Sequence, residues 1–261
     1  MTQDNAMTDV PLIEPGLSSA YRHGWQRLWK NFFDLLLGFI LTLAIIVPIS
    51  LILGLVIFAF FIDTYWVQQL INYAFNILIY GPLGFGWAYM TLRAARGEKI
   101  EISHLFEGFR RYGQSVLAYL LLTIFTSAPT IIASIVVDRL FALGVLLTIA
   151  AVILIIVVYC KLAFTPFLLL DKKLGGFEAV KASWKMTDNH AGTVFLIGLL
   201  GIPIAIAGVL CFLVGIIPAG MWISMALASL YYAVDSRRGG IPVPSDSLPT
   251  PPDTSGPFQP A

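Results

Sequence analysis

Long uncharged runs alternate along the chain with short connectors in which basic and aromatic residues are mixed. Residues 35–62 hold no Asp, Glu, Lys or Arg, and residues 64–92, past a tight turn expected at Asp63, hold none either. A helix needs roughly 20 apolar residues to cross a bilayer, so each run suffices for one span. Residues 112–137 supply a third, closed by Asp138-Arg139, and a fourth begins at Leu140 and runs past Lys161 toward Leu170. Residues 189–234 are again uncharged, enough for two spans, with a turn signal at Gly215-Ile216-Ile217-Pro218. The pattern predicts an all-α integral membrane protein with six transmembrane helices arranged as three hairpins. The expected limits are about 33–62, 66–92, 114–137, 140–170, 193–214 and 217–234.

The connectors carry a second, shorter period. From Ala20, a helix would place Tyr21, Trp25, Leu28, Trp29 and Phe32 on one face and Arg22, Gln26 and Lys30 on the other. The connector after residue 92 offers Leu105, Phe106, Phe109 and Tyr112 as its apolar members. Residues 164–193 are the most distinctive stretch, with Phe177, Val180 and Trp184 on one helical side and Glu178, Lys181 and Lys185 on another. Short amphipathic helices of this kind lie flat at the membrane surface, which makes Trp25, Trp29, Phe106, Phe109, Phe177 and Trp184 candidate lipid-interface residues. The arrangement repeats: Gly24-Trp25, Gly108-Phe109 and Ser183-Trp184 each precede an apolar hairpin, and Tyr80-Gly81-Pro82 is echoed by Phe164-Thr165-Pro166. Residues 1–17 and 236–261 lack periodicity and are expected to be disordered, the second with polyproline character.

Composition narrows the class. The chain is 58% hydrophobic and 12% charged, against about 45–50% and about 25% in soluble domains. A net charge of +1 gives no basic face for nucleic acid. The distribution of charge is more informative than its sum. Of the 16 Lys and Arg, 14 lie before span one, in residues 93–111, in residues 172–185 or at Arg237-Arg238. The positive-inside rule then places both termini in the cytoplasm. Arg22, Arg27 and Lys30 precede a first apolar run too long for a signal-peptide core, so that run reads as a signal anchor.

Candidate chemistry is sparse. Cys160 and Cys211 lie in apolar runs and fall toward opposite membrane sides, too far apart for the roughly 7 Å a disulfide allows. His23, His104 and His190 have no Cys, His or carboxylate at ligand spacing, so neither a metal nor another cofactor is expected. Within the spans, Gln69, Asn72 and Asn76 recur at helical spacing and are expected to face other helices rather than lipid. Lys161 is the one ionisable residue well inside an apolar run, and it reads either as a buried functional charge, with Asp34 a candidate partner, or as a snorkelling boundary residue. The prolines at 48, 82, 129, 166, 203 and 218 could break helices as in transporters, but no acidic residue accompanies them.

The segments GPLGFGWAYMTLRAARGE, LFEGF and FTPFLLLDKKLGGFEAVKASWKMTDNHAG resemble a broad group of uncharacterised bacterial multi-pass membrane proteins. They are similar to the membrane portion fused to some glycerophosphodiester phosphodiesterases. The resemblance covers roughly residues 20–235 and implies a six-span fold in the bacterial plasma (inner) membrane. It carries over no catalytic residue, because the phosphodiesterase barrel of such fusions has no counterpart here. The expected function is non-enzymatic: membrane organisation, or an accessory role toward a protein partner or a second copy of the chain, with membrane lipids as constant partners. The alternative is a transporter or channel for a small or lipid-like solute.

Overall fold

The computed structural model describes residues 14–61, 64–137, 140–210 and 215–237. The turns expected at Asp63 and Asp138-Arg139, Cys211, and most of both tails lie outside the described residues. Among the described residues every regular element is helical. Five stretches are long and apolar enough to cross a membrane: Phe32–Phe60, Tyr112–Val136, Ala142–Asp171, Ala191–Leu210 and Ile216–Arg237.

In chain order, α1 (Leu17–Lys30) leads into α2 (Phe32–Phe60). The next apolar run is divided into α3 (Tyr65–Phe75), a π-helical turn (Asn76–Tyr80) and α4 (Gly81–Arg96). Pro82 explains the division. It has no N–H for the carbonyl of Leu78, and a widened turn accommodates the defect. A 3₁₀ turn (Ile102–Phe106) and the single-turn α5 (Glu107–Arg110) replace the amphipathic helix expected there. Then come α6 (Tyr112–Val137), α7 (Phe141–Leu162), α8 (Thr165–Asp171), α9 (Gly176–Met186), α10 (Ala191–Leu210) and α11 (Ile216–Arg237). Gly215 precedes α11 as a turn, but Ile216, Ile217 and Pro218 belong to that helix's first turn.

The fourth expected span corresponds to the membrane-length stretch Ala142–Asp171, which is interrupted by a turn at Ala163-Phe164 between α7 and α8. Pro166 begins the new helix, and neighbouring side chains satisfy the freed backbone groups. Ser183 Oγ and Thr187 Oγ1 donate to the Lys161 carbonyl at 2.9 and 2.8 Å, and the Phe164 N–H donates to Ser183 Oγ at 3.2 Å. Connectors cap helix ends in the same way. Arg111 Nη1 donates to the Leu169 and Leu174 carbonyls, and Gln114 Oε1 accepts from Gly176 N at the start of α9.

The three surface segments dock in a cycle. Gly24 of α1 lies against the backbone of Ala226 in α11, Gly108 of α5 against the Pro82 carbonyl of α4, and Ser183 of α9 against the break after α7. Each segment therefore sits on the second helix of the preceding hairpin, and the first closes the ring on the last. A Cβ at Gly108 would collide with the Pro82 oxygen, and one at Gly86 with the Leu105 oxygen. Only glycine permits that backbone contact.

The apolar face of each surface helix is split between inward and outward positions. In α1 the buried residues are Ala20, Tyr21, Gly24 and Leu28, and in α9 they are Gly176, Ala179, Val180, Ser183 and Met186. Trp25, Trp29, Phe177 and Trp184 are turned outward. Small residues allow each helix to approach closely, which rotates the adjacent large aromatics away. The large-residue core (Leu28, Leu35, Met90, Phe164, Phe167, Leu168, Tyr231) lies at the end where the connectors gather, called here the charged end.

Candidate functional site

At the charged end, the last turns of α4, α8 and α11 converge on five polar side chains. Arg96 approaches the end of α4, Asp171 ends α8 and is followed by Lys172, and Tyr231 and Asp235 lie one turn apart on α11. Arg96 grips Asp171 with both terminal nitrogens, Nη2 donating to Oδ2 at 2.7 Å. Tyr231 Oη donates to the same Oδ2 at 3.2 Å. Lys172 Nζ meets Asp235 Oδ2 at 2.9 Å, and Arg96 Nη2 lies 3.6 Å from that oxygen. Asp235 is 7% exposed, and its Oδ1 has no hydrogen-bond partner among the described residues. Burial opposes the charge of Arg96, but its hydrogen bonds and attraction to Asp171 more than offset this and raise its pKa.

Two cations face two anions, so the cluster is close to neutral. It works as a clamp on three helix ends rather than as a charged binding surface. In the sequence Arg96 and Lys172 count only toward the charge distribution, and Asp171, Tyr231 and Asp235 carry no reading as a site. The available signal was positional, charged residues in the last turn of the second helix of each hairpin.

A second polar contact holds α1. His23 Nδ1 lies 3.0 Å from Ser229 Oγ, and Arg27 Nε donates to His23 Nε2 at 3.3 Å, which makes Nε2 the acceptor and Nδ1 the protonated nitrogen. Burial and then the Arg27 charge lower the His23 pKa to about 4.

The predicted candidates fall in three places. Lys161 sits at the α7–α8 break, pairs with Asp188 rather than Asp34, and lies 5.7 Å from the Trp184 ring. The Asp188 side chain is 55% exposed, so the pair is peripheral rather than a charge buried in the bundle. Gln69 and Asn72 lie on α3, which buries no residue, and Asn76 opens the π-helical turn; Asn72 is exposed and Gln69 and Asn76 are half-buried. Their amides turn back on their own helix, Asn72 Nδ2 to the Gln68 carbonyl at 2.9 Å and Asn76 Nδ2 to the Asn72 carbonyl at 2.8 Å. The aromatics lie on the outer rim of the charged end. Trp25 contacts Trp222 and Trp29, and Phe109 is parallel to Tyr112. Phe106, Phe177 and Trp184 are exposed.

Among the described residues there are open, apolar clefts. One of about 620 Å³ lies between α7, α10 and α11, lined by residues including Tyr159, Cys160, Val194, Phe195 and Leu227. A neighbouring cleft of about 400 Å³ shares Ile156, Cys160 and Phe195. Among the described residues, no group of three or more His, Cys, Asp or Glu could hold a metal ion. Comparison with known proteins gives no match to a family model, a curated protein or a solved structure. The fold and site define the class: among the described residues every regular element is helical, several helices are of membrane length and apolar, compatible with a membrane-embedded protein, and a neutral ionic clamp joins them at one end.

Proposed function

We propose that this is a non-enzymatic, six-span protein of the bacterial plasma membrane, with both termini cytoplasmic. In this reading it organises the membrane, or serves as accessory to a partner protein, and it is related to the membrane portion of glycerophosphodiester phosphodiesterases. The observation that carries it is the outward rim of aromatics, with Phe177 63% and Trp29 53% exposed, beside the Arg and Lys of the same segments. Aromatic rings favour the headgroup region, and each basic residue near an anionic surface adds on the order of 1 kcal/mol. The charged end would then grip the inner leaflet and present a surface to partners.

A spin label at Gln26→Cys in the reconstituted protein should report headgroup depth that increases with anionic lipid. A label indifferent to lipid charge and fully in water would overturn the reading. Topology has its own check: Val10→Cys and Thr250→Cys should resist an impermeant thiol reagent in intact cells, while Thr64→Cys and Arg139→Cys should react. A second reading, holding or moving a lipid-like solute, is favoured by the apolar cleft of about 620 Å³. Ile202→Trp would fill that cleft and, on the second reading alone, should displace a lipid that co-purifies with the wild type.

A further inference from the structure

The carboxamides of α3 and of the first residue after it lie where a single copy of the chain covers them only in part, Asn72 exposed and Gln69 and Asn76 half-buried. Tyr65, Gln69, Asn72 and Asn76 are spaced four, three and four residues apart. This is the spacing that aligns one seam of a helix against another helix. Yet α3 has no buried residue, and Tyr65 is 60% exposed. Gln69 Nε2 donates to Tyr65 Oη at 2.9 Å, and Asn72 and Asn76 each donate one N–H to a carbonyl one turn earlier. Each amide thus uses one N–H locally and retains a carbonyl oxygen and a second N–H on a helix with no buried residue. In hydrocarbon such groups are costly, and hydrogen bonds across a helix interface relieve the cost.

We infer that a second copy of this chain covers this seam, so that the protein is a homodimer joined through α3. The inference rests on the reading of residues 66–92 as a membrane span. The chemistry favours a second copy over a foreign helix. A carboxamide is donor and acceptor at once, so a seam made of them is complementary to itself. About a two-fold axis along the membrane normal, Gln69, Asn72 and Asn76 each meet their own counterpart. Residues 64–92 are uncharged, so the same surface can face itself without repulsion. The neighbouring α2 leaves access, since it buries only Leu35 and Gly38 among the described residues.

The test uses the full-length protein in liposomes, labelled separately with donor and acceptor fluorophores and diluted stepwise with lipid. Wild type should show energy transfer that falls with dilution to a two-copy end point. The triple variant Gln69→Leu/Asn72→Leu/Asn76→Leu should dissociate about tenfold or more readily, as loss of several interhelical amide bonds requires. At dilutions where both are monomeric its thermal unfolding midpoint should stay close to that of the wild type, because these amides bond only within their own helical segment. Leu70→Ala, exposed and off the seam, should behave as wild type. A wild type without transfer at any dilution, or a triple variant that associates as tightly, overturns the dimer. Asn76→Cys separates the two levels: rapid reaction with an impermeant thiol reagent removes the span and the dimer with it, whereas protection without transfer removes the dimer alone.

Discussion

The two ends of the molecule bury different kinds of residue. At the charged end Leu28, Met90, Phe164, Phe167, Leu168 and Tyr231 form a core of large side chains. Toward the other end the buried positions include Ala133, Gly144, Ala151, Gly201, Gly208 and Ala219, while Leu51, Leu55, Phe58, Ile132, Leu146 and Leu210 are exposed. Large apolar side chains are driven inward only where water is the alternative. In lipid they gain nothing by leaving it, and helices associate instead through small residues that let backbones approach. The contrast is the expected signature of a chain with one end at an aqueous boundary. Directional contacts follow the same division, since the ionic clamp, the cross-connector caps and the His23 contact all belong to the charged end.

The sharpest way to break the contrast is to open the clamp. Arg96→Met leaves Asp171 and Asp235 facing each other with Lys172 alone, and removing one partner of a buried pair costs about 3–5 kcal/mol. A large drop in the thermal unfolding midpoint of the purified protein is expected, and an unchanged midpoint would show that the clamp holds nothing. Glycines come next. Gly86→Ala and Gly108→Ala force a Cβ into a backbone carbonyl, and overpacking of this kind typically costs about 1–3 kcal/mol. Gly54 has nothing within 4 Å, so Gly54→Ala at the apolar end should be neutral or stabilising by up to about 1 kcal/mol.

Acid should loosen α1 selectively. The His23 pKa is lowered to about 4 from an ordinary 6.5, so between those values the unfolded chain binds a proton that the folded chain does not. Stability is therefore intact above pH 6.5 and falls as pH drops toward 4. The facing groups are Arg27, Ser229 and Tyr232. Unfolding midpoints followed across that range should lose their pH dependence in part with His23→Gln. The smallest effect belongs to Lys161. With Asp188 half in solvent, Lys161→Met should cost no more than about 1 kcal/mol, and Lys161→Glu should cost more by setting two carboxylates together. A loss of several kcal/mol from Lys161→Met would mean that the pair is buried after all.

Local sequence determined the helical class and five of the six expected long apolar helices, because length and apolarity are properties of a segment alone; the second expected span, residues 66–92, is divided by the π-helical turn and is not among the five. Local sequence also marked the small-plus-aromatic pairs at residues 24–25, 108–109 and 183–184, although not which member would face inward. Tertiary structure decided that, because it depends on how closely two backbones approach: Gly24 meets Ala226, and Trp25 is turned outward. It also chose Asp188 over Asp34 as the partner of Lys161, and it brought Arg96, Asp171 and Asp235 together from three hairpins. Hydropathy is summed along the chain, whereas an ion pair or a helix cap exists only between particular atoms within about 3 Å of each other. Residues 75 positions apart acquire that proximity only when the ring of hairpins closes.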